Sequence, residues 1–136
     1  MKKLTIVVPV ITAVVLLTAA LWMAIPSSVP SKKGLLYGNV TIGPICPVER
    51  ENVQCTPTPE TYRARKVIVF GPDAKTLIAT VDIDNNGNYG AELVAGTYVV
   101  DINHAGIDRS SDVPRMIIIE PEKSVRLDIK IDTGIR

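Results

Sequence analysis

The sequence predicts an all-β fold, and three observations support this prediction. Across residues 79–103, apolar and polar residues alternate with the period of two that is typical of strands with one buried face. Turns that contain Gly separate these segments at residues 85–88 and 95–96. After residue 33, no stretch shows the 3.6-residue period of an amphipathic helix. The predicted fold is therefore an antiparallel β-sandwich or a barrel.

Seven short strands are predicted, bounded by Pro, Gly or polar residues. They cover residues 35–42, 62–70, 76–83, 88–93, 97–103, 115–120 and 124–131. In the last of them, the apolar residues from Val125 to Ile131 are expected to face one way and the charged residues the other. The run from Met116 to Ile119 is unbroken and apolar, which predicts a strand that is covered on both faces.

The N-terminal segment has a different character. Residues 4–25 include no charged side chain and would form a helix of about 33 Å, enough to cross a hydrocarbon core of about 30 Å. We interpret residues 1–25 as an uncleaved transmembrane anchor, residues 26–33 as a polar tether and residues 34–136 as the β domain. The alternative is a signal peptide that is cleaved, but such peptides have shorter apolar regions and a small-x-small cleavage site.

The two cysteines, Cys46 and Cys55, bracket a segment rich in Pro and charged residues. A bridge between them would close a loop of about ten residues and stabilise the domain by roughly 2–3 kcal/mol. A zinc site would need a fourth ligand besides His104, and a redox pair more typically has the spacing C-x-x-C. A structural disulfide is therefore favoured, which indicates a domain on the periplasmic or extracellular side, with secretion after signal cleavage as the alternative.

The charge of the domain excludes one class of partner. Residues 34–136 carry eleven Lys and Arg against fourteen Asp and Glu, a net charge of about −3 at neutral pH. They hold no basic stripe with interleaved aromatic residues, so nucleic acid is not an expected partner. The expected partners are the membrane, through the N-terminal helix, and an envelope protein or glycan.

Several short motifs follow one another in the domain. They are Gly38-Asn39-Val40, Thr80-Val81-Asp82, Asn85-Asn86-Gly87, Tyr89, Leu93 and Ala95-Gly96-Thr97-Tyr98. Their order resembles the carboxypeptidase regulatory-like family. The Cys46–Cys55 insertion and the C-terminal residues resemble a bacterial secreted or membrane-anchored subgroup of it. The resemblance implies a seven-stranded, prealbumin-like (transthyretin-like) sandwich with an accessory, non-catalytic role.

The acidic turn before the fourth predicted strand is similar to a calcium loop. Oxygen-bearing side chains occupy alternate positions at Asp82, Asp84, Asn86 and Asn88, with Gly87 at the sixth. An EF-hand loop would place a bidentate Glu at the twelfth position, where this chain has Leu93. The favoured interpretation is a hairpin turn in which Asn, Asp and Gly serve the backbone. No metal or cofactor is therefore expected.

One histidine, His104, lies near several charged residues and is a candidate general base. Hydroxyisourate hydrolases are enzymes with the transthyretin-like fold. They resemble one another through several His residues and a C-terminal Tyr-Arg-Gly-Ser, whereas this chain has one His and ends in Thr-Gly-Ile-Arg. Since no set of nucleophile, base and oxyanion donors is present, an enzyme is not expected.

The loop at residues 105–114 is the predicted binding site, because loops at the end of a sandwich commonly carry recognition. Its candidate residues, with the preceding His and the residue after it, are His104, Asp108, Arg109, Asp112 and Arg115. Arg109 and Arg115 are expected to hold a carboxylate or sugar acid by paired hydrogen bonds. The expected function is that of an interaction domain. The alternatives are a structural spacer or a domain that self-associates through a sheet edge, and a small hydrolase is less favoured.

Overall fold

The computed structural model describes residues 30–48, 51–52 and 55–136. Residues 31–136 form one compact unit. The predicted anchor at residues 1–25 and the first half of the tether, residues 26–29, lie outside the described residues. Within the described part of the chain, no helix has the length and apolar character needed to span a membrane.

The described residues form eight strands and one short helix. In chain order these are β1 (Lys33–Gly43), α1 (Pro59–Arg63), β2 (Lys66–Phe70), β3 (Leu77–Asp82), β4 (Asn88–Val94), β5 (Gly96–Ile102), β6 (Arg115–Ile119), β7 (Ser124–Arg126) and β8 (Ile129–Asp132). The strands make two sheets of four, which confirms the all-β prediction and agrees with a sandwich.

One sheet has the order β3-β2-β5-β6, with every neighbouring pair antiparallel. In the other sheet β1 is central: it pairs antiparallel with β4 on one side and parallel with β7 and β8 on the other. The expectation of a purely antiparallel architecture was therefore wrong for these two pairs. Parallel neighbours need a long crossover connection, and here all four strands of the β3-β2-β5-β6 sheet lie between β1 and β7 in the chain.

The core lies between the two sheets and is built from the inward residues of each strand. The alternation predicted from the sequence is confirmed, since every second residue of β1 is buried. The most deeply buried side chains are Leu36, Val40, Val67, Val69, Val100, Ile119, Ile129 and Ile131. Their apolar surface supplies the main driving force for folding.

The strand predicted at residues 124–131 is divided into β7 and β8, so the prediction of seven strands was wrong. The division falls at Leu127 and Asp128, whose polar groups bond to residues outside the usual ladder. The Leu127 carbonyl accepts a hydrogen bond of 2.5 Å from the Tyr89 hydroxyl, and the Asp128 carboxylate accepts one of 2.9 Å from the Asn39 N–H. The prediction that the apolar residues of this segment face the interior is confirmed for Leu127, Ile129 and Ile131, which are buried.

The strand predicted to begin at residue 62 begins instead at Lys66. The preceding residues form α1, because Thr58 caps the helix and Pro59 occupies its first turn. The Thr58 side chain accepts a hydrogen bond from the Thr61 N–H, and the Thr61 hydroxyl accepts one from the Thr58 N–H. This reciprocal pair favours a helical turn over extended backbone.

The run Met116–Ile119 is not covered on both faces as predicted. Ile117 and Ile119 point into the core, but Met116 and Ile118 are 63% and 64% exposed. The strand lies at the edge of its sheet, and the sheet packs against a second layer on one side. Across this sheet, Met116 of β6 is paired with Val99 of β5, Val99 with Phe70 of β2, and Phe70 with Leu77 of β3.

Candidate functional site

A buried ion pair holds the base of the loop between β5 and β6, the loop in which the binding site was predicted. Arg65 Nε and Nη2 donate hydrogen bonds of 2.6 and 3.0 Å to the two carboxylate oxygens of Asp108. The Asp108 side chain is 4% exposed, and the Arg65 side chain is 14% exposed. Arg65 also donates to the Thr61 carbonyl at 2.9 Å, which links the end of α1 to the loop.

Three further hydrogen bonds attach the loop to β8. The backbone groups of Arg109 and Asp132 exchange two bonds, of 2.9 and 2.7 Å. The Asp112 carboxylate accepts a bond of 2.8 Å from the Lys130 N–H. Two of the predicted site residues, Asp108 and Asp112, therefore position the loop, and their carboxylates are already engaged.

The attached loop forms one wall of an open groove of about 670 Å³. The groove is lined by Gly43, Pro44, Arg109, Ser110, Ser111, Lys130, Asp132 and Arg136. Thr133 fixes the opposite wall, since its N–H donates to the Gly43 carbonyl at 3.2 Å and its hydroxyl to the Pro44 carbonyl at 2.5 Å. Both walls thus depend on paired backbone.

Three cations and one carboxylate face the groove. Arg136 holds the Asp132 carboxylate through two hydrogen bonds, of 3.1 and 2.9 Å. Arg136 is the main reason that the pKa of Asp132 falls to about 2, with Arg109 adding a smaller effect. Within the described residues, Arg109 and Lys130 make no side-chain ion pair. Their charges are available to a ligand.

His104 lies outside the groove lining and bridges the ends of the loop. Its Nδ1 is 3.3 Å from the Asp108 carbonyl, and its Nε2 is 3.1 Å from the Asp101 carboxylate. The Asp108 carbonyl, followed by the Asp101 carboxylate, raises the pKa of His104 above its ordinary value. Both ring nitrogens can donate only in the protonated form, so the arrangement favours imidazolium.

The structure separates the two arginines that were expected to act together. Arg109 lines the groove, whereas Arg115 is the first residue of β6, opposite Val100, and is absent from the lining. Sequence reasoning missed Lys130 and Asp132, which take the place of Arg115 beside Arg109. Lys130 lies on the strand predicted at residues 124–131 and Asp132 directly follows it, so their spacing of two was a signal that they share one face.

The acidic turn uses its side chains for local structure. The Asp84 carboxylate accepts hydrogen bonds of 2.8 and 2.9 Å from the N–H groups of Asn86 and Asn88. Asp82 pairs across the sheet with Lys66 at 2.5 Å. In the part of the chain that the structure describes, no three His, Cys, Asp or Glu residues are grouped so as to hold a metal ion.

The predicted disulfide between Cys46 and Cys55 is formed, with the two Cα atoms 5.6 Å apart. Both sulfurs are engaged in this bond, so neither serves as a zinc ligand in the structure. Such bonds persist in proteins outside the cytosol.

The chain was compared with known proteins. No family model matches it, and no curated protein does. Among solved structures, it is similar to the minor pilin GBS52 of Streptococcus agalactiae (14% identity, TM-score 0.50, 74% of this chain and 44% of that one). It is also similar to DUF3823 family proteins of Parabacteroides merdae (15%, 0.44, 74% and 46%) and Bacteroides ovatus (16%, 0.44, 71% and 44%). The match spans less than half the length of each structure, and the pilin likeness is one of fold.

Proposed function

We propose that this chain is a non-enzymatic interaction domain that acts outside the cytosol, tethered to the membrane by residues 1–25. It binds an envelope protein or glycan through the groove beside the β5–β6 loop. The observation that carries this proposal is the position of Arg109, which lines the groove, makes no side-chain ion pair with the described residues and is fixed by backbone bonds to Asp132. The Cys46–Cys55 disulfide supports the extracytoplasmic location.

The engagement of the loop's titratable groups supports a binding role over catalysis. Asp108 is paired with Arg65, Asp112 accepts a backbone N–H, and His104 lies between two acceptors. A general base needs a free acceptor within reach of the proton that it abstracts. We therefore place recognition, and no chemical step, at this end of the domain.

We also propose membership of the carboxypeptidase regulatory-like family, whose accessory domains fit this role. The two-sheet architecture supports this, as do the positions of two motif residues. Gly38 lies where the Leu127 carbonyl leaves no room for a Cβ atom, and Tyr89 donates to that same carbonyl. Both residues thus have structural reasons to recur in related domains.

The test is a crosslinking pull-down of tagged full-length protein from detergent-solubilised membranes, identified by mass spectrometry. Arg109→Glu reverses a groove charge, and Arg115→Glu makes the same change on β6 outside the groove. We expect a stoichiometric partner or glycan that is lost with Arg109→Glu and retained with Arg115→Glu. Equal capture by both variants would contradict the assignment of the groove.

A second candidate function is self-association through the edge of β6. The exposure of Met116 and Ile118 on this edge strand favours it, because apolar edges are open to strand pairing. Recovery of the tagged chain with untagged copies of itself alone would support this function. The variant Ile118→Lys would then abolish the recovery.

A further inference from the structure

We infer that the groove binds the carboxylate of an acidic sugar, with Arg109 and Lys130 as the groups that hold it. This inference rests on the proposed function and names its ligand class.

The groove has a local excess of positive charge. The domain carries a net charge of about −3, yet the groove collects three cations against the one carboxylate of Asp132. Arg136 already holds that carboxylate in a two-bond arrangement. The remaining positive charge of Arg109 and Lys130 makes the groove attractive to anions on an otherwise acidic domain.

Arg109 and Lys130 both lie on backbone that is held by hydrogen bonds. Arg109 is bonded through its backbone to Asp132, and Lys130 lies two residues before Asp132 on β8 and is bonded through its N–H to Asp112. Residues two apart on a strand share a face, so Lys130 and Asp132 lie side by side. Because their backbones are already ordered, a ligand has less conformational entropy to remove on binding.

The planar guanidinium of Arg109 has a geometry that suits a carboxylate. Asp132 is itself a carboxylate held by a guanidinium through two parallel bonds. The fork of Arg109 offers the same arrangement to a second carboxylate. Phosphate is commonly bound at a helix N-terminus, and α1, the one helix in the described part of the chain, does not line this groove.

The uncharged residues of the groove lining are mostly small or polar. Ser110 and Ser111 supply hydroxyl groups, and Pro44 is the one large apolar residue. Peptide partners are usually anchored by aromatic or aliphatic side chains in apolar pockets. The hydroxyls suit the hydroxyl groups of a sugar, and the volume of about 670 Å³ lies within the range of about 300–1,000 Å³ for small-molecule sites.

The experiment is calorimetric titration of the full-length chain in detergent with tri-galacturonic acid. The comparison probes are its methyl ester, a tri-glutamate peptide and inorganic phosphate. We expect binding of the free acid alone, weakened at least about tenfold by Arg109→Gln and by Lys130→Gln, since each variant removes a charged hydrogen-bond donor. Arg115→Gln is the matched control and should bind as the parent does.

Equal binding of the methyl ester, or tighter binding of tri-glutamate or phosphate, would overturn the inference. So would unchanged affinity in both groove variants, provided that all variants keep the parent melting temperature. If the sugar acid fails to bind while Arg109→Glu still abolishes the pull-down, the ligand class is wrong and the proposed function stands. If neither assay responds to Arg109, both are overturned.

Discussion

Arg65 and Asp108 are 43 residues apart in the chain and are joined by two hydrogen bonds at the buried base of the β5–β6 loop. Arg65 directly precedes β2, and Asp108 lies in the loop that follows β5. The pair therefore fixes the loop to the start of a core strand. The position of the neighbouring Arg109 depends on that anchor.

Breaking this pair should destabilise the domain strongly. Asp108→Asn leaves the Arg65 cation buried without its counter-ion, and we expect a loss of about 3–5 kcal/mol in the free energy of unfolding. Urea denaturation followed by circular dichroism measures it. The combined variant Arg65→Met with Asp108→Leu should recover much of the loss, because an apolar pair needs no desolvation of charge.

The exposed pair Glu60–Arg63 is the control for this prediction. Glu60→Gln should change the free energy of unfolding far less than Asp108→Asn does, since water screens that pair. Similar losses for Asp108→Asn and Glu60→Gln would show that the buried pair has no special role.

The charge state of His104 should make stability depend on pH. Its pKa is raised in the folded state, chiefly by the Asp108 carbonyl, so its contribution is complete below the unfolded pKa of about 6.5 and is lost as pH rises through the folded value. NMR titration should give a His104 pKa above about 6.5. Asp101→Asn should lower it, and a His104 pKa at or below the ordinary value would contradict the arrangement.

Gly38 should resist substitution. A Cβ atom there would lie 1.9 Å from the Leu127 carbonyl oxygen, whereas a Cβ at Gly90 would meet its nearest atom at 3.7 Å. We expect Gly38→Ala to cost about 1–3 kcal/mol or more through displacement of the backbone. Gly90→Ala, on the partner strand β4, should stay within about 0.5 kcal/mol. Thermal melts of the two variants, side by side, measure the difference.

Neighbouring residues of β6 should differ sharply in their effect on stability. Ile119 is 1% exposed, so Ile119→Ala should cost about 2–5 kcal/mol through lost burial and a cavity. Ile118 points outward, and Ile118→Ala should cost about 0.5 kcal/mol or less in the monomer. Urea titrations at low protein concentration make the comparison. A large loss for Ile118→Ala would indicate that its face is covered in solution.

Calcium should leave the domain unchanged. The Asp84 carboxylate already accepts two backbone N–H groups, and Asp82 pairs with Lys66. We expect no heat in a calorimetric titration with Ca²⁺ and no rise in the melting temperature. Asp84→Ala should instead lower stability by about 1 kcal/mol, because it removes hydrogen bonds that close the turn. A calcium-dependent rise in melting temperature would revive the metal interpretation.

The fold class and the disulfide could be predicted because both depend on local signals. Alternation along a strand shows which face is buried, and the two cysteines are close in sequence. The division of β7 from β8 could not be predicted, since it depends on Tyr89 and Asn39, which lie far away in the chain. The coverage of Met116–Ile119 was predicted wrongly because a continuous apolar run does not reveal an edge position.

Only part of the candidate groove could be predicted from the sequence. The loop and Arg109 were visible as a charged, irregular segment after a strand. The groove was not, because it depends on long-range contacts of Arg109 with Asp132 and of Asp112 with Lys130. Arg115 was chosen as a partner of Arg109 because the two are near in sequence, and in the structure Arg115 begins β6 and does not line the groove.

The central place of β1 has a consequence for how the domain is made. Among the described strands β1 is synthesised first, yet its partners are β4, which begins some 45 residues after β1 ends, and β7 and β8, which are the last two. During synthesis, the apolar face and both edges of β1 therefore stay unpaired until the residues of its partner strands have been made. Pairing over such sequence distances is slow and open to aggregation. We therefore expect the sheet around β1 to be completed only after β8, which ends at Asp132, has been synthesised.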